Sequence, residues 1–271
     1  MCIRDSFMTE ITQGGIRKMV TQIDDTVTYR LPIGDDLIHM NPLIGGTIKL
    51  QYLGEIRCVA CGRKTRKSFS QGHCFPCMRK LASCDGCIVR PETCHYAEGT
   101  CREPEWGQTH CLIPHTVYLS NTGGVKVGIT RGGNESVRWV DQGASQALAI
   151  RTVSERLHSG LVETALKPHI SDRTNWRKML SGEPEVADLA SVRDSLFAEV
   201  PDLRGSTDQD AQTVTIRYPV LSYPEKVKSL DIEKLETIEG TLMGIKGQYL
   251  ILDIGVINVR KYTGYRWSVS S

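Results

Sequence analysis

Nine of the ten cysteines of this 271-residue chain fall between Cys58 and Cys111, and that clustering constrains its fold more than any other feature. An odd-numbered group with no basic, apolar leader before it argues for thiolate metal ligation rather than a disulfide framework. The expectation is therefore a protein of a reducing compartment, the cytoplasm. Cys58-Val-Ala-Cys61-Gly and Cys74-Phe-Pro-Cys77 are two CxxC knuckles separated by twelve residues. Each short turn offers one edge of a tetrahedron, and four thiolates close it around Zn²⁺ with no open coordination position. Such a centre is structural, and removing its ion should unfold the segment, because the binding free energy is folding free energy.

The remaining cysteines are less ordered in spacing. Cys84, Cys87, Cys94, Cys101 and Cys111, with His95 and His110, are seven candidates for four positions. Cys87, Cys94, Cys101 and Cys111 are the preferred set, with Cys84 as the substitute, which brings the expected count to about two zinc ions per chain. Iron–sulfur ligation is the rival use of four thiolates.

Charge is uninformative in total, at 33 Lys+Arg against 31 Asp+Glu, but not in distribution. Residues 51–90 hold eight Lys/Arg against Glu55 and Asp85, whereas residues 183–210 hold eight acids against Arg193 and Arg204. Arg63, Lys64, Arg66 and Lys67 lie inside the first cysteine ribbon. There they either offset the negative thiolate centre, as a solvated face, or meet the phosphates of DNA or RNA.

Hydrophobic periodicity divides the chain further. Residues 1–7 read as a non-native prefix, 8–57 as a β-rich N-terminal segment and 58–112 as the cysteine module. An α/β segment follows over 113–182, then an acidic helix and linker over 183–212, then a β-rich segment over 213–271. In the α/β segment HTVYLS and VKVGIT form a hairpin across NTGG, with a helix over Ser136 to Gln142, a strand at ALAIRTV and a helix at SERLHSGLVETALK. Leu157, Leu161 and Ala165 recur at i, i+4 and i+8 and give that helix an expected buried stripe. The most apolar run, Tyr249 to Val259, is broken by Asp253, so no membrane span is expected. Neither GxGxxG nor GxxxxGK[ST] occurs, so no nucleotide cofactor is expected either. The fold class is α+β: a β-rich scaffold from both termini, a two-zinc cysteine module and a central β-β-α-β-α domain.

TVYLS, VKVGIT, Arg138 and Glu163, in that order, resemble the GIY-YIG nuclease fold in its divergent form. That resemblance implies a divalent-metal-dependent phosphodiesterase, an endonuclease, with Mg²⁺ or Mn²⁺ at Glu163. It also implies Tyr118 helping to deprotonate the attacking water, Arg138 neutralising phosphoryl charge, Gly128 admitting close backbone approach and Asn175 as a late supporting residue. Two positions depart from the pattern. Lys126 stands where the second motif has its Tyr, and Thr116-Val117 where the first has Gly-Ile. A lysine can handle the proton only if burial depresses its pKa. The alternative is a non-catalytic zinc-ribbon module, binding nucleic acid or protein, that keeps a degenerate GIY-YIG shell. From Gly15 onward the chain also resembles a bacterial group, domain-of-unknown-function family 2797, through the paired knuckles, CIVRPETC, CREPEW, HTVYLS…KVGIT, RWVDQGA and KGQYL.

Overall fold

A computed structural model describes residues 10–200 and 211–271. The prefix at 1–7 and the middle of the acidic linker lie outside the described residues. In chain order the strands are β1 (Glu10–Gly15), β2 (Val20–Gln22), β3 (Thr28–Ile33), β4 (Asp36–His39), β5 (Thr47–Arg57), β6 (Lys64–Thr65) and β7 (His115–Asn121). They continue as β8 (Val125–Arg131), β9 (Gln146–Val153), β10 (Val214–Thr215), β11 (Thr237–Lys246), β12 (Tyr249–Leu252), β13 (Gly255–Asn258) and β14 (Tyr265–Ser270). The helices are α1 (Phe75–Lys80), α2 (Pro104–His110), α3 (Glu135–Asp141), α4 (Arg156–Leu166), α5 (Trp176–Met179), α6 (Leu189–Glu199) and α7 (Ile232–Leu235). None of the described helices is long and apolar enough to cross a membrane.

The chain forms two compact units. The first comprises residues up to Thr21, Thr28–Phe75 and Pro219–Ser271. Strands from both ends of the chain share one antiparallel sheet in the order β1-β14-β5-β11-β12-β13, with β6 paired to β5. Both termini thus contribute strands to one open β-rich sheet. Alternation explains its core: Tyr265, Trp267 and Val269 of β14 turn inward with Ile48 and Leu50 of β5, and Val269 sits directly across from Leu50.

The second unit comprises Gln22–Val27 and Pro76–Tyr218, so the unit boundary falls inside the 58–112 cysteine module, between Cys74 and Cys77. Its antiparallel sheet runs β10-β9-β7-β8. The β7-β8-α3-β9-α4 order is the β-β-α-β-α order expected over 113–182. Every residue of β7 is buried, because this inner strand is covered on both faces. Val117, Leu119, Val127 and Leu148 pack with Val162 and Leu166 of α4 and Leu196 and Phe197 of α6. Alternation then sends Tyr118, Lys126 and Gly128 to the opposite face of the sheet.

The expected stripe on α4 is not the buried one. Leu161 is 49% exposed and Ala165 is exposed, while Ser159, Gly160, Val162 and Leu166 face inward. The reason is a close backbone crossing. A Cβ on Gly160 would stand 2.6 Å from the Glu92 amide nitrogen, so the helix needs its smallest residues on the inner face. Counting large apolar residues misses a face built of small ones.

Candidate functional site

The first cysteine set is shaped by its turns. Gly62 takes φ +70 just after the first knuckle, where its N–H donates to the Cys58 carbonyl at 2.8 Å. Phe69 and His73 pair their backbones across the second turn, and α1 starts at Phe75 with Pro76 and Cys77 in its first turn. The four Sγ atoms of Cys58, Cys61, Cys74 and Cys77 lie within 4.8 Å of one another. Cys61 Sγ and Cys74 Sγ are 3.7 Å apart, far beyond a disulfide bond and close to the edge of about 3.8 Å that Zn–S bonds of about 2.3 Å give a tetrahedron. Burial acts to raise the Cys58 pKa, but backbone N–H groups of Cys74, Cys61 and Ala60 outweigh it and bring it down to about 6. A thiol so disposed is a ready thiolate, and this set can hold a metal ion such as zinc.

Arg63, Lys64, Arg66 and Lys67 are all exposed on this ribbon. Lys67 Nζ lies 5.6 Å above the Phe69 ring, which meets Phe75 edge-on, and Phe75 is 52% exposed.

In the second unit, Cys87, Cys94, Cys101 and Cys111 line one cavity of about 20 Å³. Asp85 and His95 line it too, and their ligand atoms lie within 4.8 Å of Cys87 Sγ. Asp85 is already engaged, since Arg102 Nε stands 2.6 Å from its carboxylate and Cys87 N–H donates to it. Cys84 is not in this lining, and His110 instead stacks on Trp106 at 4.2 Å.

The residues matched to the nuclease pattern also meet in the second unit. Tyr118 is fully buried and sits across from Gly128 in the β7–β8 pair. A Cβ on Gly128 would stand 2.6 Å from Tyr118 Oη, so only glycine leaves room for the phenol. The Tyr118 hydroxyl donates to Gln142 Oε1 at 2.8 Å, and its ring meets Trp139 edge-on at 6.2 Å. Arg138 and Gln142 are four residues apart on one helical face, which brings the guanidinium beside the phenol. Burial still pushes the Tyr118 pKa up against the pull of Arg138, so the phenol stays protonated near neutral pH.

Lys126 is 3% exposed, and burial together with Arg138 brings its pKa down to about 8, opposed by Glu163 and Asp172. Glu163 moves the other way. Burial raises its pKa, Lys167 lowers it and Asp172 raises it again. Lys167 Nζ stands 3.8 Å from Glu163 and 3.4 Å from Asp172, tying the two carboxylates to one ammonium. Asn175 is instead a helix cap, its side chain accepting from Lys178 N–H at 3.1 Å.

Three members of this cluster escaped sequence reasoning. Gln142 carried a signal, since it lies one turn beyond Arg138. Lys167 carried a weaker one, four residues past Glu163. Asp172 carried none: it arrives because Val127 N–H donates to the Ser171 carbonyl at 2.9 Å, a tertiary contact.

Replacing Gly128 by alanine should displace the tyrosine and break its bond to Gln142. The expected cost is about 1–3 kcal/mol, read from urea unfolding midpoints, with an unchanged midpoint contradicting this packing.

The fold and sites describe an α+β protein with antiparallel sheets and a four-cysteine cluster fit for a metal. The family described as "Protein of unknown function (DUF2797)" matches residues 45–267, and the chain belongs to it. No curated protein and no solved structure matches the chain.

Proposed function

We propose that this chain is a divalent-metal-dependent phosphodiesterase acting on nucleic acid, with a GIY-YIG-like domain over residues 113–182 and about two structural zinc ions. The supporting observation is the meeting of Tyr118, Lys126, Arg138 and Glu163, drawn from two strands and two helices, in one buried polar cluster. Burying so many ionisable groups together costs folding stability, and perturbed groups of this kind concentrate at active sites.

Each side chain has a task its environment suits. Arg138 is partly exposed and presents a permanent, planar charge to a phosphoryl group. Lys126, with a pKa near 8, is neutral in a useful fraction of molecules and takes the proton of the attacking water. Tyr118 keeps its own proton and orients that water as a hydrogen-bonding group. Glu163, with Asp172 nearby, is the carboxylate to hold Mg²⁺ or Mn²⁺, which when bound stabilises charge on the scissile phosphate and its leaving oxygen. The substrate reaches the cluster at its accessible edge, where Arg138, Lys167 and Asp172 meet solvent.

The experiment is cleavage of supercoiled plasmid and of structured RNA in Mg²⁺ or Mn²⁺. Wild type should cut and Glu163→Ala should lose about 100-fold or more in rate, whereas equal background cleavage by both sinks the proposal. The complete burial of Tyr118 favours a second reading, a nucleic-acid-binding shell without chemistry. It predicts binding without cleavage.

Both readings use the ribbon's cations. Four phosphate contacts give a log K against log [salt] slope of about −3 to −4. Alanine at Arg63, Lys64, Arg66 and Lys67 together should flatten it, and an unaltered slope would remove this face from the interface.

A further inference from the structure

The segment from residue 81 to residue 112 has almost no apolar core. Only Ala82, Pro91, Gly107 and Cys111 are buried there, amid short 3-10 turns and the seven-residue α2. So small a module needs a cross-link or a metal to hold one shape. Its cysteines are free thiols, and four of them line the same cavity of about 20 Å³, room for a single ion or water molecule. Soft thiolates at one small cavity select zinc-class metals. The salt bridge from Arg102 occupies Asp85, which makes that carboxylate an orienting group for the centre.

This module is fastened to the helix that carries Glu163. The Arg156 N–H donates to the Cys111 carbonyl at 2.8 Å, and Arg156 Nη2 donates to the Ile88 carbonyl at 2.6 Å. Gly160 packs on the backbone of Pro91 and Glu92. Ile88 follows Cys87 directly, Glu92 precedes Cys94 by two residues, and Cys111 is itself one of the four. All three attachments therefore depend on where the cysteines are held. Glu163 lies just three residues beyond Gly160 on the same helix.

We propose that Cys87, Cys94, Cys101 and Cys111 bind a second zinc-class ion that anchors α4, so that Glu163 is in place only while this centre is loaded. The consequence for activity rests on the phosphodiesterase reading above; the anchoring itself does not. Loss of the ion, or oxidation of its thiols by a disulfide-forming oxidant, would release the helix and switch the site off.

The test uses the full chain, elemental zinc analysis and amide hydrogen exchange. Cys101→Ser should lower the zinc content from about two ions per chain to about one and speed exchange in α4 at least tenfold, with β7 still protected. The double substitution Cys58→Ser/Cys61→Ser should remove the other ion and leave α4 exchange unchanged. Arg156→Ala keeps every thiol, so it should retain both ions yet loosen α4, and it serves if Cys101→Ser fails to fold. The proposal is overturned if Cys101→Ser keeps both ions, if it loses one without change in α4, or if Arg156→Ala leaves α4 exchange as in wild type. None of these readouts uses cleavage, so an inactive wild type would refute the phosphodiesterase reading and leave the anchoring intact.

Discussion

Serine in place of Cys74 should release about one metal ion per chain and unfold the ribbon around residues 58–80. The size of the effect follows from how little else holds this segment. Cys58 and Cys74 are its two buried cysteines, β6 is a two-residue strand, and neither α1 nor β6 buries a side chain fully. Structural zinc in comparable knuckles contributes roughly 10–16 kcal/mol of apparent binding free energy, comparable with the whole stability of a domain. Hydrogen exchange should show protection lost across the ribbon, while Trp267 and Leu50 in the adjoining sheet core keep theirs. A chromophoric chelator should detect the missing ion. Retention of full metal content and ribbon protection by Cys74→Ser would show that the knuckles fold without a metal.

Methionine in place of Lys126 should stabilise the protein while abolishing the proposed phosphodiesterase activity. Lys126 has a pKa of about 8 in the folded chain against 10.5 as a free side chain. The unfolded state therefore binds more protons between those values, and folding stability rises as pH increases from about 8 to about 10.5. Below pH 8 the lysine is charged in both states, and its burial costs on the order of 3 kcal/mol. An apolar side chain of similar length removes that penalty. Lys126→Met should accordingly gain about 1–3 kcal/mol at pH 7 and lose the rise in stability above pH 8, as read from urea unfolding across the pH range. A destabilised variant, or one that keeps the pH-dependent rise, would place the charge elsewhere.

What the sequence made legible is what local chemistry decides. The CxxC spacing predicts a tetrahedral set because each knuckle closes within four residues, and the four sulfurs do converge. The β7–β8 hairpin and the α3-β9-α4 run were readable because alternation and the NTGG turn are short-range signals. The inner face of α4 was not, since a stripe of Ser159 and Gly160 shaped by Pro91 and Glu92 looks polar or neutral in sequence. Asp172 joins the polar cluster only through pairing of Ser171 with β8, and the placement of β14 between β1 and β5 depends on contacts across the whole chain. Strand pairing is set by tertiary packing, which no local pattern carries.

The proposed catalysis by the buried polar cluster is most directly tested with a substrate that carries no sequence or strand preference. Hydrolysis of bis-p-nitrophenyl phosphate by the zinc-loaded chain, with Mn²⁺ added, reports phosphodiester chemistry alone. Wild type should turn over with a rate that rises toward pH 8, as Lys126 loses its proton. Lys126→Met and Glu163→Ala should each fall to the uncatalysed rate. Equal hydrolysis by all three, or none by wild type at any pH from 6 to about 10, would contradict the account.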